Sequence, residues 1–338
     1  MRVLRKSFAE IEARERKEID KFIEDNCGLV FHEIEFNRIV SESFNTELFY
    51  LIALDNKSQI VGICPMHTIK EGFLKVTYSN PAIFEVPYGG WVFDERRVSI
   101  RQLLKKTRLS FLESLVYWSN TEIQHSIYKN LQFEKKTIWF RQYSKRECRT
   151  AIIDLKQTED EIIYNSISRN TRHNIKRAAK KGVTIEELGP DNFNIFVRIV
   201  DTFKKKLGLK KVESGFYSNI FRYYYERNKI KLFAAKHENE YISAVLNIGN
   251  KNITHAWIAG RINNIKKNLY QNELLWWESI KWAKKNGSRY FDLCVIEKER
   301  LPHIAIFKLG FSKNLVPFYY ITKKTLTFKI LKRIKKWF

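Results

Sequence analysis

The sequence predicts an α+β chain built as two tandem halves, and three observations lead there. At 338 residues the chain exceeds the size at which one hydrophobic core stops growing, so two domains are expected. Apolar residues make up 44% and aromatic residues 14%, enough to build cores. That excludes a disordered polycation, even with 61 Lys and Arg against 37 acids and a net charge of +24. Finally, residues 51–61 (LIALDNKSQIV) align without a gap on residues 232–242 (LFAAKHENEYI). Each copy reads as strand, polar turn, strand. A helical stretch precedes both copies, and a further strand and a long helix follow both, so duplication explains the match better than two unrelated hairpins.

Taken in order, apolar periodicity predicts helices over 6–25 and 33–40, the hairpin at 51–61, a strand at 76–79 and a helix over 97–118. A joint near 146–150 separates a first domain, 1–148, from a second, 149–322. The second domain opens with a strand at 151–155, a basic helix over 168–181 and a strand at 183–187. It continues with helices over 192–206 and 215–226, the second hairpin, a strand at 253–259, a helix over 270–285, and strands at 290–293 and 316–321. Trp276, Trp277 and Trp282 are assigned to the core side of the 270–285 helix. Residues 323–338 form a basic amphipathic tail.

Arg169, Arg172, Lys176, Arg177, Lys180 and Lys181 fall within fourteen residues that contain no acid. Ser166 or Ser168 can cap the helix start, Gly182 suits the left-handed position after its end, and Ile175, Ala178 and Ala179 supply an apolar stripe. A charge run is usually a solvated face, but like charges at i,i+4 repel. The uniform sign therefore favours an anionic partner that bears phosphate, with Arg169, Arg172 and Lys176 as its contacts. The tail carries seven cations and no acid, with Leu326, Ile330, Leu331, Ile334, Trp337 and Phe338 near one face. That pattern suits an anionic membrane surface, and equally a terminal helix packed on its own protein.

The four cysteines, Cys27, Cys64, Cys148 and Cys294, lie far apart without paired spacing. This argues against a zinc cluster, indicates no metal, and fits a reducing compartment. The charged first 25 residues show no signal peptide, and no apolar run approaches the ~18 residues of a membrane span. The expected location is the cytoplasm, peripheral at the inner face of the cell membrane.

The two tandem halves, the segment SRNTRHNIKRA at 168–178, the run IAIFKLGF at 304–311, the triplet FDL at 291–293 and the loop PYGGWVFD at 87–94 together resemble the Fem-type branch of the GNAT acyltransferase superfamily. The resemblance runs from about residue 31 to 321 and rests on the order of these segments. It implies two tandem GNAT-like domains, each a mixed, mostly antiparallel sheet flanked by helices. It further implies acyl or aminoacyl transfer to an amine or hydroxyl of a cell-envelope sugar or peptidoglycan-type precursor, either nucleotide- or lipid-linked. In the family a Phe-Lys pair in the last helix is tied to the aminoacyl donor; it falls on Phe307 and Lys308. An aspartate once proposed as a base falls on Asp94. Peptidoglycan-modifying members carry a phosphate-gripping lysine in an early helix, where this chain offers only Arg38, out of register.

Chemistry asks for a free nucleophile, a polarised carbonyl and a charge partner for the leaving group. Lys308 can stabilise an oxyanion or a phosphate, or else the helix end. Asp94 can accept a proton; Asp292, Glu297 and Glu299 are further carboxylates, while His255 and His303 read as structural. Tyr88, Gly89 and Gly90 let backbone approach a ligand, as they would in a plain tight turn. The donor is acyl-CoA or aminoacyl-tRNA, with no resident cofactor. The stretch RINNIKKNLYQ at 261–271 lacks the glycines that cradle coenzyme A pyrophosphate and offers Lys266 and Lys267 instead. A reading from a different class is an inactive GNAT scaffold that binds RNA or membrane.

Overall fold

In the computed structural model the described residues are 1–71, 74–81, 85–107, 113–117, 143–262 and 269–323. The chain divides into two compact units, one comprising Met1–Cys148 with Pro317–Phe338 and the other Arg149–Val316.

The first unit is a sheet in the order β1 (Arg2–Ser7), β2 (Glu47–Leu54), β3 (Ile60–Glu71), β4 (Leu74–Tyr78), β6 (Glu113–Tyr117) and β13 (Leu315–Lys323), with β5 (Val92–Phe93) paired to β3. All pairings within it are antiparallel except β4 with β6, which are parallel over Thr77↔Glu113 and Tyr78↔Ser114. The β2–β3 turn is set by Asp55, whose Oδ1 accepts from the amides of Lys57 and Gln59 at 2.9 Å. Helices α1 (Ala13–Asp25), α2 (Ile34–Phe44) and α3 (Ile100–Lys106) accompany this sheet. Ile19, Ile23 and Ile34 pack against Tyr50, Ile52 and Ile63 on one core, while Leu103, Leu104 and Trp91 join Phe49, Leu51 and Met66 on another.

The second unit has the order β7 (Tyr143–Asp154), β12 (Tyr290–Val295), β11 (Ile253–Arg261), β10 (Glu240–Gly249), β9 (Ile230–His237) and β8 (Thr184–Leu188). Here too one pair, β11 with β12, is parallel and the rest are antiparallel. The β9–β10 turn holds Glu238 and Asn239 both at positive φ (49° and 67°), the signature of a two-residue hairpin whose twist matches its strands. Helices α4 (Arg169–Lys180), α5 (Phe193–Lys206), α6 (Ser214–Tyr225), α7 (Gln271–Lys285) and α8 (Pro302–Phe311) complete the unit. Its core gathers Ile175, Ala178, Trp276, Trp277, Ile280, Phe291, Leu293 and Phe311, with Trp282 partly buried against them.

The duplication read from 51–61 and 232–242 extends to topology. β1-β2-β3-β4-β6 and β8-β9-β10-β11-β12 share strand order and position of the parallel pair. In each unit a sixth strand follows: β13 from the end of the chain in the first, β7 in the second.

Several elements differ from expectation. The helix expected over 6–25 begins only at Ala13, because Arg2–Ser7 pair with β2 and Glu10 closes a turn on the Ser7 amide at 2.6 Å. The helix expected over 97–118 ends at Lys106, where the Thr107 hydroxyl donates to Leu103 O at 2.6 Å. Glu113–Tyr117 is then a strand, since a short apolar run takes its conformation from the neighbours it pairs with. Residues 317–322, placed with the second domain by sequence, group with the first unit through the β13–β6 ladder. Apart from Lys323, the last residue of β13, the expected tail lies outside the described residues.

Candidate active site

Helix α8 starts with Pro302 at its first turn, where the missing amide proton costs nothing. It runs through Gly310, whose lack of a side chain lets α8 press on the start of α4. A Cβ there would lie closer to Thr171 Oγ1 than the 3.0 Å below which real Cβ atoms are essentially never found. The Ser168 amide donates to Gly310 O at 2.8 Å, and the Ser168 hydroxyl caps α4 through the Thr171 amide at 3.3 Å. At the other end Gly182, at φ +76°, lets the Val183 amide reach Ala178 O at 3.1 Å. On the apolar stripe Thr171, Ile175 and Ala178 are buried, but Ala179 is exposed.

The α8 anchor is aromatic. Phe307 meets Trp276 edge to face at 5.0 Å and Phe311 at 5.3 Å, and Phe311 is fully buried. With Phe307 and Phe311 pinned one turn apart, the Lys308 side chain is directed to the end of β12, where its Nζ donates to Val295 O at 3.0 Å. Burial pushes the Lys308 ammonium below the ordinary lysine range, against the opposing pull of Cys294, Asp292 and Glu297.

The strand end it touches is unusual. The parallel pairing of β11 with β12 stops at His255↔Asp292. Against β7, the register shifts between Asp292 (opposite Ile152) and Val295 (opposite Thr150), leaving one extra residue in β12, a bulge. Cys294 takes up the bulge at φ +59°, a conformation rarely adopted by a residue with a side chain. The fully buried Asp292 carboxylate holds the turn: Oδ1 accepts from the Thr150 hydroxyl and from the Cys294 amide at 2.9 Å, and Oδ2 pairs with His255 Nδ1 at 2.7 Å. Burial first, then Asp292, pushes the Cys294 thiol up, with Lys308 opposing. Lys308, Asp292, His255, Cys294 and Thr150 are thus gathered in the second unit. In the sequence Asp292 is one carboxylate among several, His255 reads as structural and Cys294 is an isolated cysteine; Thr150 carries no signal.

The basic helix α4 divides in two. Arg169 and Lys176 are exposed, as expected of anion contacts. Arg172 is spent on the backbone instead, since its Nη1 donates to Ile163 O, Tyr164 O and Ile167 O at 3.1, 2.9 and 2.8 Å, tying off the turn that precedes the helix.

Asp94, Tyr88, Gly89 and Arg38 lie in the first unit, whereas Lys308, Phe307, Arg169, Arg172 and Lys176 lie in the second. Burial alone would raise the Asp94 carboxyl, but Arg96, donating from its amide and Nε at 3.1 Å each, holds it below the usual range. Tyr88 is fully buried, edge to face with Phe318 at 5.3 Å. Gly89 is a packing glycine, since a Cβ would collide with the Ser79 carbonyl. Arg38 spends its guanidinium on Glu35 and Glu42. Lys266 and Lys267 lie outside the described residues.

Residues 140–243 match the model of the FemAB family. Among solved structures, FemX superposes with a TM-score of 0.67 at 13% identity, covering 90% of this chain and 95% of that one. The C-terminal domain of an Agrobacterium fabrum protein assigned as a lysylphosphatidylglycerol synthetase gives 0.58 at 11% identity, covering 94% and 96%. L-PGS from Bacillus licheniformis gives 0.52 at 13%, covering 94% and 95%. No curated protein matches the sequence. The chain has a FemX-like fold.

Proposed function

We propose that the protein is an acyltransferase that moves an aminoacyl or acyl group onto an amine or hydroxyl of a cell-envelope precursor. The FemAB match over 140–243 and the FemX-like fold support the class. The domain assigned as a lysylphosphatidylglycerol synthetase adds a neighbour whose name joins an amino acid to a phospholipid. The observation that carries the reading is Lys308: a part-buried ammonium, fixed by the Phe307–Trp276–Phe311 cluster, at the place where β11 and β12 cease to pair.

Attack of the acceptor amine on the donor carbonyl makes a tetrahedral oxyanion, and its collapse expels the donor's hydroxyl or thiol. A cation partly withdrawn from water and held in place interacts with that developing charge more strongly than one in bulk solvent, and needs little reorganisation at the moment of reaction. In this reading Lys308 stabilises the oxyanion or the adjacent donor phosphate. Arg169 and Lys176 attract the phosphate of the substrate, and Arg172 serves the same face by holding the start of α4. The ion pair with Arg96 lowers the basicity of Asp94, the candidate proton acceptor; overall, the proton lost by the amine balances the one gained by the leaving hydroxyl or thiol. The donor is aminoacyl-tRNA or acyl-CoA.

The test is mass spectrometry of envelope precursors from cells with and without the gene. Wild type should restore a missing acyl or aminoacyl mass, and Lys308→Met should not. Identical precursor masses in all strains would overturn the reading.

A further inference from the structure

Spacing in the sequence offers no paired-cysteine metal motif, yet the fold assembles a mixed one. His255 on β11, Asp292 on β12 and Cys294 in the β12 bulge bring one nitrogen, one oxygen and one sulfur donor within 4.8 Å of one another. All three are buried: His255 and Asp292 fully, Cys294 with 7% of its surface exposed. We propose that these three side chains bind one zinc-class divalent cation, with a fourth position left for water or another small ligand.

Donor chemistry selects the ion. Imidazole, carboxylate and thiolate together suit a borderline dication such as Zn²⁺ or Co²⁺, whereas Mg²⁺ and Ca²⁺ take oxygen ligands. The donors are also oriented in advance. Asp292 Oδ1 is occupied by the Thr150 hydroxyl and the Cys294 amide, which fixes the carboxylate plane and leaves Oδ2 against His255 Nδ1 at 2.7 Å. Hydrogen-bonded neighbours of this kind orient ligands in metal sites. Backbone conformation points the same way: a cysteine is held in the left-handed region at φ +59°, where most side chains are disfavoured, and such strain collects at functional positions.

Charge balance agrees. A carboxylate sealed from water needs compensation, and a dication joined by Asp292 and the Cys294 thiolate forms a neutral cluster. On binding, the Cys294 thiol releases its proton to solvent, and the His255 Nδ1 proton shifts to Nε2, so that Nδ1 and Asp292 Oδ2 hold the ion. The nearby Lys308 ammonium then faces a neutral group. The competing account is a hydrogen-bonded Asp–His pair that never takes a metal, and it predicts the opposite result below.

Full-length protein, freed of metal with a chelator and dialysed, is titrated with Co²⁺ and read by absorption. The proposal expects a thiolate-to-cobalt charge-transfer band in the near ultraviolet, with visible bands of four-coordinate geometry that saturate near one equivalent and vanish when Zn²⁺ is added. Cys294→Ser, checked by circular dichroism, should lose the charge-transfer band. Protein isolated from zinc-supplemented cells should carry about one Zn per chain, falling to a small fraction of that in Cys294→Ser. If the variant does not fold, the wild-type cobalt spectrum decides alone. Absence of a thiolate band in wild type, or the same metal content in folded Cys294→Ser, overturns the proposal. No donor or turnover is needed, so this site and the acyl-transfer reading can fail separately.

Discussion

Gly310→Ala is the sharpest probe of how α8 is held against α4. In a helix interior alanine is favoured over glycine by roughly 0.5–1 kcal/mol, so propensity alone says the variant should be more stable. The structure says otherwise. The new Cβ would fall inside 3.0 Å of Thr171 Oγ1 while keeping ordinary distances of 3.7 Å to Thr171 Cβ and 3.8 Å to Ser168 Oγ. One atom makes the clash, and it cannot easily turn away, because Thr171 is β-branched and its hydroxyl is bonded to Ser168 Oγ at 2.9 Å. Forcing a methyl group into such a contact costs about 1–3 kcal/mol, which outweighs the propensity gain and leaves a net loss of about 1–2 kcal/mol. Because Lys308 lies two residues away on the same helix, transfer should weaken as well. Urea denaturation followed by far-ultraviolet circular dichroism measures the loss. The decisive step is a double-mutant cycle: on a Thr171→Ala background the clash is gone, and Gly310→Ala should become neutral or stabilising, a coupling of about 2 kcal/mol. Additive effects, or a Gly310→Ala single variant more stable than the parent, would refute the α8–α4 joint.

Lys308→Met should leave the fold intact and slow single-turnover transfer by ~10²-fold or more, the scale of losing one preorganised charge contact; a rate within a factor of about two of the parent removes Lys308 from the mechanism. Its depressed pKa adds a pH test. Between the folded pKa and the unfolded value near ~10.4, the unfolded chain holds more protons, so parent stability should rise with pH across that window relative to Lys308→Met. Equal pH slopes in denaturant melts would contradict a buried ammonium. Arg172→Met should destabilise the second unit, because three carbonyls lose their donor, whereas Arg169→Glu with Lys176→Glu should leave melting nearly unchanged and weaken phosphate-bearing substrate in a salt-dependent way. The reverse pattern would exchange their roles. Deleting residues 323–338 should reduce sedimentation with anionic vesicles while transfer survives; equal sedimentation would discard the membrane assignment.

What sequence could and could not reveal follows from how far each signal reaches. Ser168 and Gly182 mark the ends of the basic helix because capping is local: the Ser168 hydroxyl serves an amide three residues away, and Gly182 sits where the backbone turns left-handed. Hairpin turns are local as well, which is why the 51–61 and 232–242 echo exposed the duplication. Long-range pairing is different. Nothing within Glu113–Tyr117 distinguishes a strand from a helical turn until β4 and β13 supply its ladders. Charge carried the same ambiguity: Arg172 and Lys176 look alike in sequence, yet one is spent on three carbonyls of the preceding turn and the other faces solvent.

The site shows the limit most clearly. Phe307 and Lys308 could be picked out because the run at 304–311 resembles the last helix of the Fem-type branch, whose Phe-Lys pair falls on them. Their partner surface could not, because His255 and Asp292 are 37 residues apart in the chain and meet only through a parallel pair closed by α7. Cys294 carried a misleading signal. A lone cysteine reads as a small buried hydrophobe, and only the bulge opposite Thr150–Ile152 reveals that its backbone is left-handed and its amide bound to Asp292. A residue with a side chain, kept where glycine would be easier, is an anomaly of conformation rather than composition. That anomaly directs the next experiment to Cys294, and the loss or survival of the cobalt–thiolate band in Cys294→Ser will say whether the strained position serves a ligand or only the strand.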